Sequence, residues 1–525
     1  MINHPTRRAL LTMIGAAAGS SAMYAAMTSL GHAAESPYKG PIKLDGDPKG
    51  AKVLILGAGL AGMTAALELR AAGYEVEILE YREKAGGRCW TLRSGDSYTE
   101  LGGATQKVDF AEGNYINPGP WRIPHHHHAL LDYCRRLGVT LEPFIQGNQN
   151  AYLHSSHAFD GKPVRFREIN ADFRGGISDL LAKATNAGAL DQAVSPADRE
   201  ALMAALKYYG ALDDEFNYRK GDHSSPYRGW AKWPGGGVNA RPEPSEPIDF
   251  ATVLQSKLWN KLLEDQVTDH QETMFQPIGG MDRIAAAFEK QVGDLIKYNC
   301  KVTQIRQNDQ GVTVTYVGSD STGEPRTASG DWCLCTIPFS ILSQIEADLS
   351  PEMQSVVDNM PYAEGTKFGL EFKRRFWEQD EHIYGGITYT DLPITLISYP
   401  STGYQSDGPA VLLGGYPWGA LSNQFTAMSP EDRIKWALEY GSHIHPQYME
   451  EFKTGVSVVW HRVPWTLGCY GLWRDREANY DQATKIDGRI LMAGEHVSYI
   501  PAWQEGAITS ALDAISRLHD RVING

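Results

Sequence analysis

The stretch Gly57-Ala58-Gly59-Leu60-Ala61-Gly62 has the spacing GxGxxG, which is chemistry for holding a pyrophosphate. Gly57 permits a tight turn, Gly59 lets phosphate oxygens approach the backbone, and Gly62 lets a helix pack closely on a strand; Ala61 lies within the same turn. Phosphates at such a turn meet free N–H groups at a helix N-terminus, where the dipole favours an anion. Glu80 closes the next apolar run, where a carboxylate accepts from ribose hydroxyls. Two other groups have ligating side chains. Cys333 and Cys335 alternate on one face of an apolar run and read as buried strand cysteines, since a zinc site needs a second ligand pair. His125 to His128 are consecutive, so on a helix they cannot all face one ion. No carboxylate partner is legible beside them. They are expected to form a polar helix entry, and no metal site is predicted.

The elements around the glycine turn fit this chemistry. Lys52-Val53-Leu54-Ile55-Leu56 is a continuous apolar run, the pattern of a strand buried on both faces of a parallel sheet. Residues 63–72 read as a helix stopped by Gly73, and 75–80 as the next strand, which completes a βαβ unit. Between about 165 and 265, helical stretches at 178–187 and 196–209 alternate with a Gly/Pro/Trp-rich loop, a composition that suggests an inserted helical unit. A helix is expected to about Gln291, then strands at 301–307 and 311–316. Strands and loops rich in aromatics dominate 345–480. A last strand at 489–493 precedes a helix from about Gln504.

The chain has 525 residues, more than one ordinary core holds. Its net charge is −14, with 49 basic against 63 acidic residues. That argues against nucleic acid as a main partner, because phosphate binding needs a basic face. Six cysteines in a chain this long do not make a disulfide framework. Residues 1–34 read as a targeting segment: Thr6-Arg7-Arg8-Ala9-Leu10-Leu11 is a twin-arginine-like start, an acid-free apolar stretch follows, and Gly31-His32-Ala33-Ala34 offers small residues for cleavage. Export to the periplasm or exterior is the expectation. No stable membrane anchor is expected, because Gly, Ser and Thr interrupt the apolar run and no later stretch is long enough.

Blocks at opposite ends of the chain identify a family resemblance. Glu80-Tyr81-Arg82-Glu83-Lys84-Ala85-Gly86-Gly87-Arg88 resembles the GGR run of FAD-dependent amine oxidases, Glu100-Leu101-Gly102-Gly103-Ala104 resembles their next flavin-proximal segment, and Ala493-Gly494-Glu495 resembles their AGE. From about residue 50 onward the chain resembles the flavin L-amino acid oxidases in particular. Gly119-Pro120-Trp121-Arg122-Ile123-Pro124 is similar to the segment whose arginine clamps the substrate carboxylate, and a planar guanidinium fork suits that task. Gly365-Thr366-Lys367 resembles the block whose lysine holds a water beside the flavin. Leu412-Leu413-Gly414-Gly415-Tyr416 resembles the one whose tyrosine adds a hydroxyl to the carboxylate. Ala502-Trp503 resembles the Gly-Trp pair under the substrate side chain, and Trp460 to Tyr470 the aromatic stretch lining the flavin cavity.

The resemblance implies an α/β fold: a Rossmann-type FAD-binding domain (50–110, 272–345 and 485–525), a mixed β-sheet substrate domain (111–164 and 346–484), and a helical domain (165–271). It implies cofactor contacts from Gly57, Gly59, Ala61, Gly62, Glu80, Tyr81, Arg82, Gly87, Arg88, Gly103, Ala104, Val302, Trp460, Trp465, Gly494, Glu495 and Trp503. Substrate contacts fall to Arg122, Tyr416, Tyr470, Ala502 and Trp503, with Lys367 as the catalytic group. Monoamine oxidases carry a flavin-bonded cysteine where this chain has Cys469; noncovalent FAD is the favoured reading here. The implied reaction is oxidative deamination of an L-amino acid to a 2-oxo acid, ammonia and hydrogen peroxide with dioxygen as acceptor. An amine or polyamine oxidase, or a flavin amino-acid monooxygenase on the same fold, is the alternative. A homodimer is compatible with the family.

Overall fold

Lys52–Leu56 lies at the middle of a parallel sheet and is buried along nearly its whole length, as its unbroken apolar run requires. A computed structural model describes residues 38–318 and 323–525; the expected targeting segment lies outside them. The sheet runs Ile296–Lys297, Glu75–Leu79, Lys52–Leu56, Trp332–Cys335, Ile490–Met492, all parallel. Its strands therefore come from three separated parts of the sequence.

The helix after the glycine turn is Leu60–Ala71, three residues earlier than its apolar periodicity suggests, because the turn itself opens the helix at Gly59. A Cβ on Gly62 would stand 2.0 Å from the Gly57 carbonyl oxygen, so only glycine allows that approach. The helices Leu60–Ala71, Asp282–Val292 and Gln504–Asn524 cover one face, with Leu69, Phe288 and Ile515 fully buried among them. The other face packs on the antiparallel ribbon Lys301–Asn308, Gly311–Val317, Pro325–Gly330. Cys333 and Cys335 both point into that second core, where burial pushes their thiols up.

A seven-stranded mixed sheet forms the second layer, in the order Phe452–Val459, Thr366–Phe372, Ala410–Gly415, Leu396–Ser398, Ile387–Thr390, Tyr152–His154, Val164–Arg165. Thr366–Phe372 is buried throughout, between two antiparallel partners. The insert is built on the helix Phe166–Asn186, longer than its sequence signal, with Pro196–Tyr209 packed against it. A buried Asp172–Arg228 ion pair at 2.9 Å ties that insert together. The architecture is α/β: a Rossmann-type parallel sheet, a mixed sheet, and a helical insert. Among the described residues, no helix is long and apolar enough to cross a membrane.

Candidate active site

A cleft of about 670 Å³ opens at the C-terminal ends of the parallel strands, where ligands bind in open α/β sheets. Gly57, Gly59 and Ala61 form one rim, and Glu80, Tyr81, Gly87 and Arg88 the next. Nothing lies within 4 Å of a Cβ placed on Gly59, so its backbone is open to an incoming phosphate. Glu80 accepts from the Ala58 N–H at 2.6 Å and from the Arg82 N–H at 2.9 Å. Burial lifts its carboxyl above the ordinary range, against the pull of these two donors. Val302 lines the far end, and Trp460, Trp465, Gly494, Glu495 and Trp503 the near end.

Arg88 and Glu495 join the two ends. The guanidinium donates to Glu495 Oε1 at 2.5 Å and to the Cys469 carbonyl at 3.0 Å. Burial opposes the Arg88 charge, and the Glu495 carboxylate beside it more than restores it. Glu495 also accepts from the N–H groups of Gly471, at 3.2 Å, and Ala502, at 3.0 Å. One carboxylate thus fastens three segments around the cleft.

Four expected cofactor residues do not line the cleft. Arg82 lies behind the wall, over Trp465 at 4.1 Å, and supports that indole instead of lining the cleft. Gly103 and Ala104 belong to an exposed turn closed by the Gly103 N–H on the Glu100 carbonyl; Leu101 alone of that block reaches the cleft. The block resembles a flavin-proximal motif, but Glu100 is spent on a fully buried ion pair with Arg433 at 2.7 Å, which turns its glycines outward. Gly62 meets the Gly57 carbonyl oxygen and acts through packing.

The loop bearing Arg122 begins at Gly119, where a Cβ would stand 2.0 Å from the Arg88 carbonyl oxygen. This close approach welds the loop to the cofactor rim. Arg122 donates from one terminal nitrogen to Gln146 Oε1 at 2.7 Å and from the other to His270 Nε2 at 2.8 Å, with Trp121 beneath it at 4.9 Å. Desolvation, reinforced by Arg122, pushes His270 down to about 3, so the ring is neutral. Its Nδ1 donates to the Glu264 carbonyl at 3.0 Å, which leaves Nε2 as the acceptor.

Lys367 is buried and donates to the carbonyls of Asn117 (3.2 Å) and Gly119. Its Nζ lies 4.4 Å from the ring centres of both Trp121 and Tyr416. Burial pushes its ammonium well below the ordinary lysine range, helped by Arg122 and opposed by Cys469. Tyr416 and Tyr470 both line the cleft and both contact Trp418, at 4.1 Å and 5.6 Å between ring centres. Ala502 and Trp503 form the opposite wall, with Ala502 held at φ +70.

The family model for flavin-containing amine oxidoreductase matches residues 60–518. The chain belongs to that family. Relatives of this oxidoreductase include an L-amino-acid oxidase of Vipera ammodytes ammodytes, 28% identical over 90% of this chain and 93% of that one. Another is the flavin-dependent L-tryptophan oxidase RebO of Lentzea aerocolonigenes, 29% identical over 88% and 97%. A putrescine oxidase solved with putrescine shares the fold, with a TM-score of 0.58, 18% identity, and coverage of 90% of this chain and 99% of that one.

The oxidoreductase's cleft suits a flavin dinucleotide on its own terms. The open Gly59 backbone fits a pyrophosphate, Glu80 stands where a ribose would lie, and the near end is aromatic, with Trp460, Trp465 and Trp503. His270, Gln146 and Trp418 were not legible as site residues. Each comes from a segment without a motif, and nothing in their local pattern marks them. The histidine run also differs from expectation. His126 has a carboxylate partner after all: its Nε2 lies 3.0 Å from Asp269 Oδ1, a residue far away in sequence.

Proposed function

We propose that this chain oxidises L-amino acids to 2-oxo acids with noncovalent FAD, releasing ammonia and hydrogen peroxide. The observation that carries the reading is Arg122, braced by two neutral acceptors and packed on Trp121, which with Lys367 stands behind the cleft-lining Tyr416. The planar guanidinium fork of Arg122 matches the two oxygens of a carboxylate. A simple amine brings no such group. Tyr416, on the cleft wall beside Lys367, offers its hydroxyl to the same end of the substrate.

The residues then act by position. Arg122 fixes the acid group, while Trp503 and Tyr470 border the space for the rest of the substrate and exclude water. When bound, FAD would supply the two-electron acceptor for the α-hydrogen, with dioxygen as the final acceptor. The reacting amine must be neutral. Lys367, whose charged form burial disfavours and whose Nζ donates to two carbonyls, is the group placed to receive a proton through water. Burial holds the Cys469 thiol protonated, which supports a free cysteine and a dissociable cofactor. The twin-arginine start supports export of the folded holoenzyme.

A peroxide-release screen of the twenty amino acids in both enantiomers, with common amines alongside, tests the reading. Turnover of L-amino acids giving oxo acid is the expected result; turnover of amines alone overturns it. Release of free FAD on denaturation checks the noncovalent link.

A further inference from the structure

Behind Trp503 lies a buried cluster that amino-acid oxidation does not use. His126 and His127 sit in the turn before the helix His128–Arg136, and Asp269 comes from the short helical turn Thr268–His270. One ligand-type atom from each residue falls within 4.8 Å of the others. Their exposures are 5%, 1% and 3%, so the cluster is closed to bulk water. His126 Nδ1 and both ring nitrogens of His127 are buried without a hydrogen-bond partner. Orphaned buried polar atoms are costly, and three in one small volume point to something that should meet them.

We propose that His126, His127 and Asp269 bind a divalent transition-metal ion of the zinc class. Two imidazoles and a carboxylate are a zinc-type donor set, whereas calcium and magnesium favour oxygen alone. Consecutive histidines serve here because they precede the helix: the His126 and His127 rings stand at 81° with centres 4.9 Å apart, which turns their edges in different directions. The ion balances the buried Asp269 carboxylate and pins residues 269–270 to the Arg122 loop. His127 also stands edge-on to Trp503 at 5.1 Å, so the ion would stiffen that wall. Zinc adds no redox chemistry, and the role is positional.

The test uses tag-free holoenzyme stripped of metal by dialysis and titrated with Zn²⁺ against a chromophoric chelator. One zinc per chain is expected, with affinity about ten-fold or more weaker in both His127→Gln and Asp269→Asn. X-ray absorption of the wild-type zinc form should show only nitrogen and oxygen ligands, with two imidazoles. Retention below about a tenth of an equivalent overturns the site. So does unchanged binding in both variants, a shell without two imidazoles, or loss of binding in the pair His125→Ala and His128→Ala instead, which would assign the metal to the surface of the histidine run. The flavin absorption spectrum confirms that each variant is folded, and the wild-type absorption data stand whatever the variants do. Zinc content is independent of amino-acid turnover, so this site and the proposed activity can fail separately.

Discussion

The two ends of the cleft are built differently. The phosphate end is local: a strand, a glycine turn and a helix within residues 52–71 hold its main features. The other end is assembled from afar: Tyr416 lines it, and Lys367, Trp121 and Arg122 with its braces Gln146 and His270 pack beyond Tyr416 from separate segments. Backbone N–H groups recognise a phosphate and need only glycine where the ligand comes close. Side chains recognise an α-amino acid and need a folded framework to aim them. The first end is therefore robust to changes elsewhere, and the second depends on distant braces.

The sharpest way to break this contrast is Arg122→Ala. Amino-acid kcat/KM should fall by about 10³-fold, roughly 4 kcal/mol, with the flavin spectrum intact. Arg122→Lys should recover only part, because an ammonium lacks the planar fork. If peroxide assays show either variant near wild type, the carboxylate end has been misplaced.

Glu495→Gln probes the seam between the ends. It leaves Arg88 without its anion and should cost about 3 kcal/mol in stability, read as a lower thermal midpoint and flavin lost on gel filtration.

His270→Ala asks whether the brace on Arg122 matters. One hydrogen bond lost should raise KM about five- to ten-fold, with a smaller change in kcat. The His270 value of about 3 also sets a pH expectation. Its folded pKa lies below the ordinary 6.5, so its contribution to stability is complete above about pH 6.5 and drains away as pH falls toward 3. Denaturant midpoints of wild type should therefore drop over that window more than those of His270→Ala. Turnover should rise on the alkaline side as the substrate amine loses its proton, and a flat profile from about pH 6 to 10 would count against that step.

The smallest effect is expected from Ala502→Gly. Ala502 occupies the left-handed region at φ +70, and glycine there should raise stability by about 1 kcal/mol in a thermal melt.

The nucleotide turn, the second strand and the C-terminal helix were readable because each rests on neighbours in sequence: glycine spacing, continuous apolar runs, and helical periodicity. Boundaries shifted by a few residues where the turn itself became the first helical residues. The Glu100–Arg433 ion pair beside Gly103 and Ala104 was not readable, because a motif carries no record of what its flanking carboxylate will pair with. His126 misled for the mirror reason, since its partner Asp269 is invisible until the insert folds back.

From its sequence alone this protein declares a parallel-sheet dinucleotide cradle, because short-range geometry decides it, and the resemblance to L-amino acid oxidases singles out one loop arginine for an acid group. The braces on that arginine, the neutral His270, the burial of Lys367, and the buried histidine–aspartate cluster arise only in the folded chain. They depend on burial and on contacts between remote segments, and neither exists until the layers have packed.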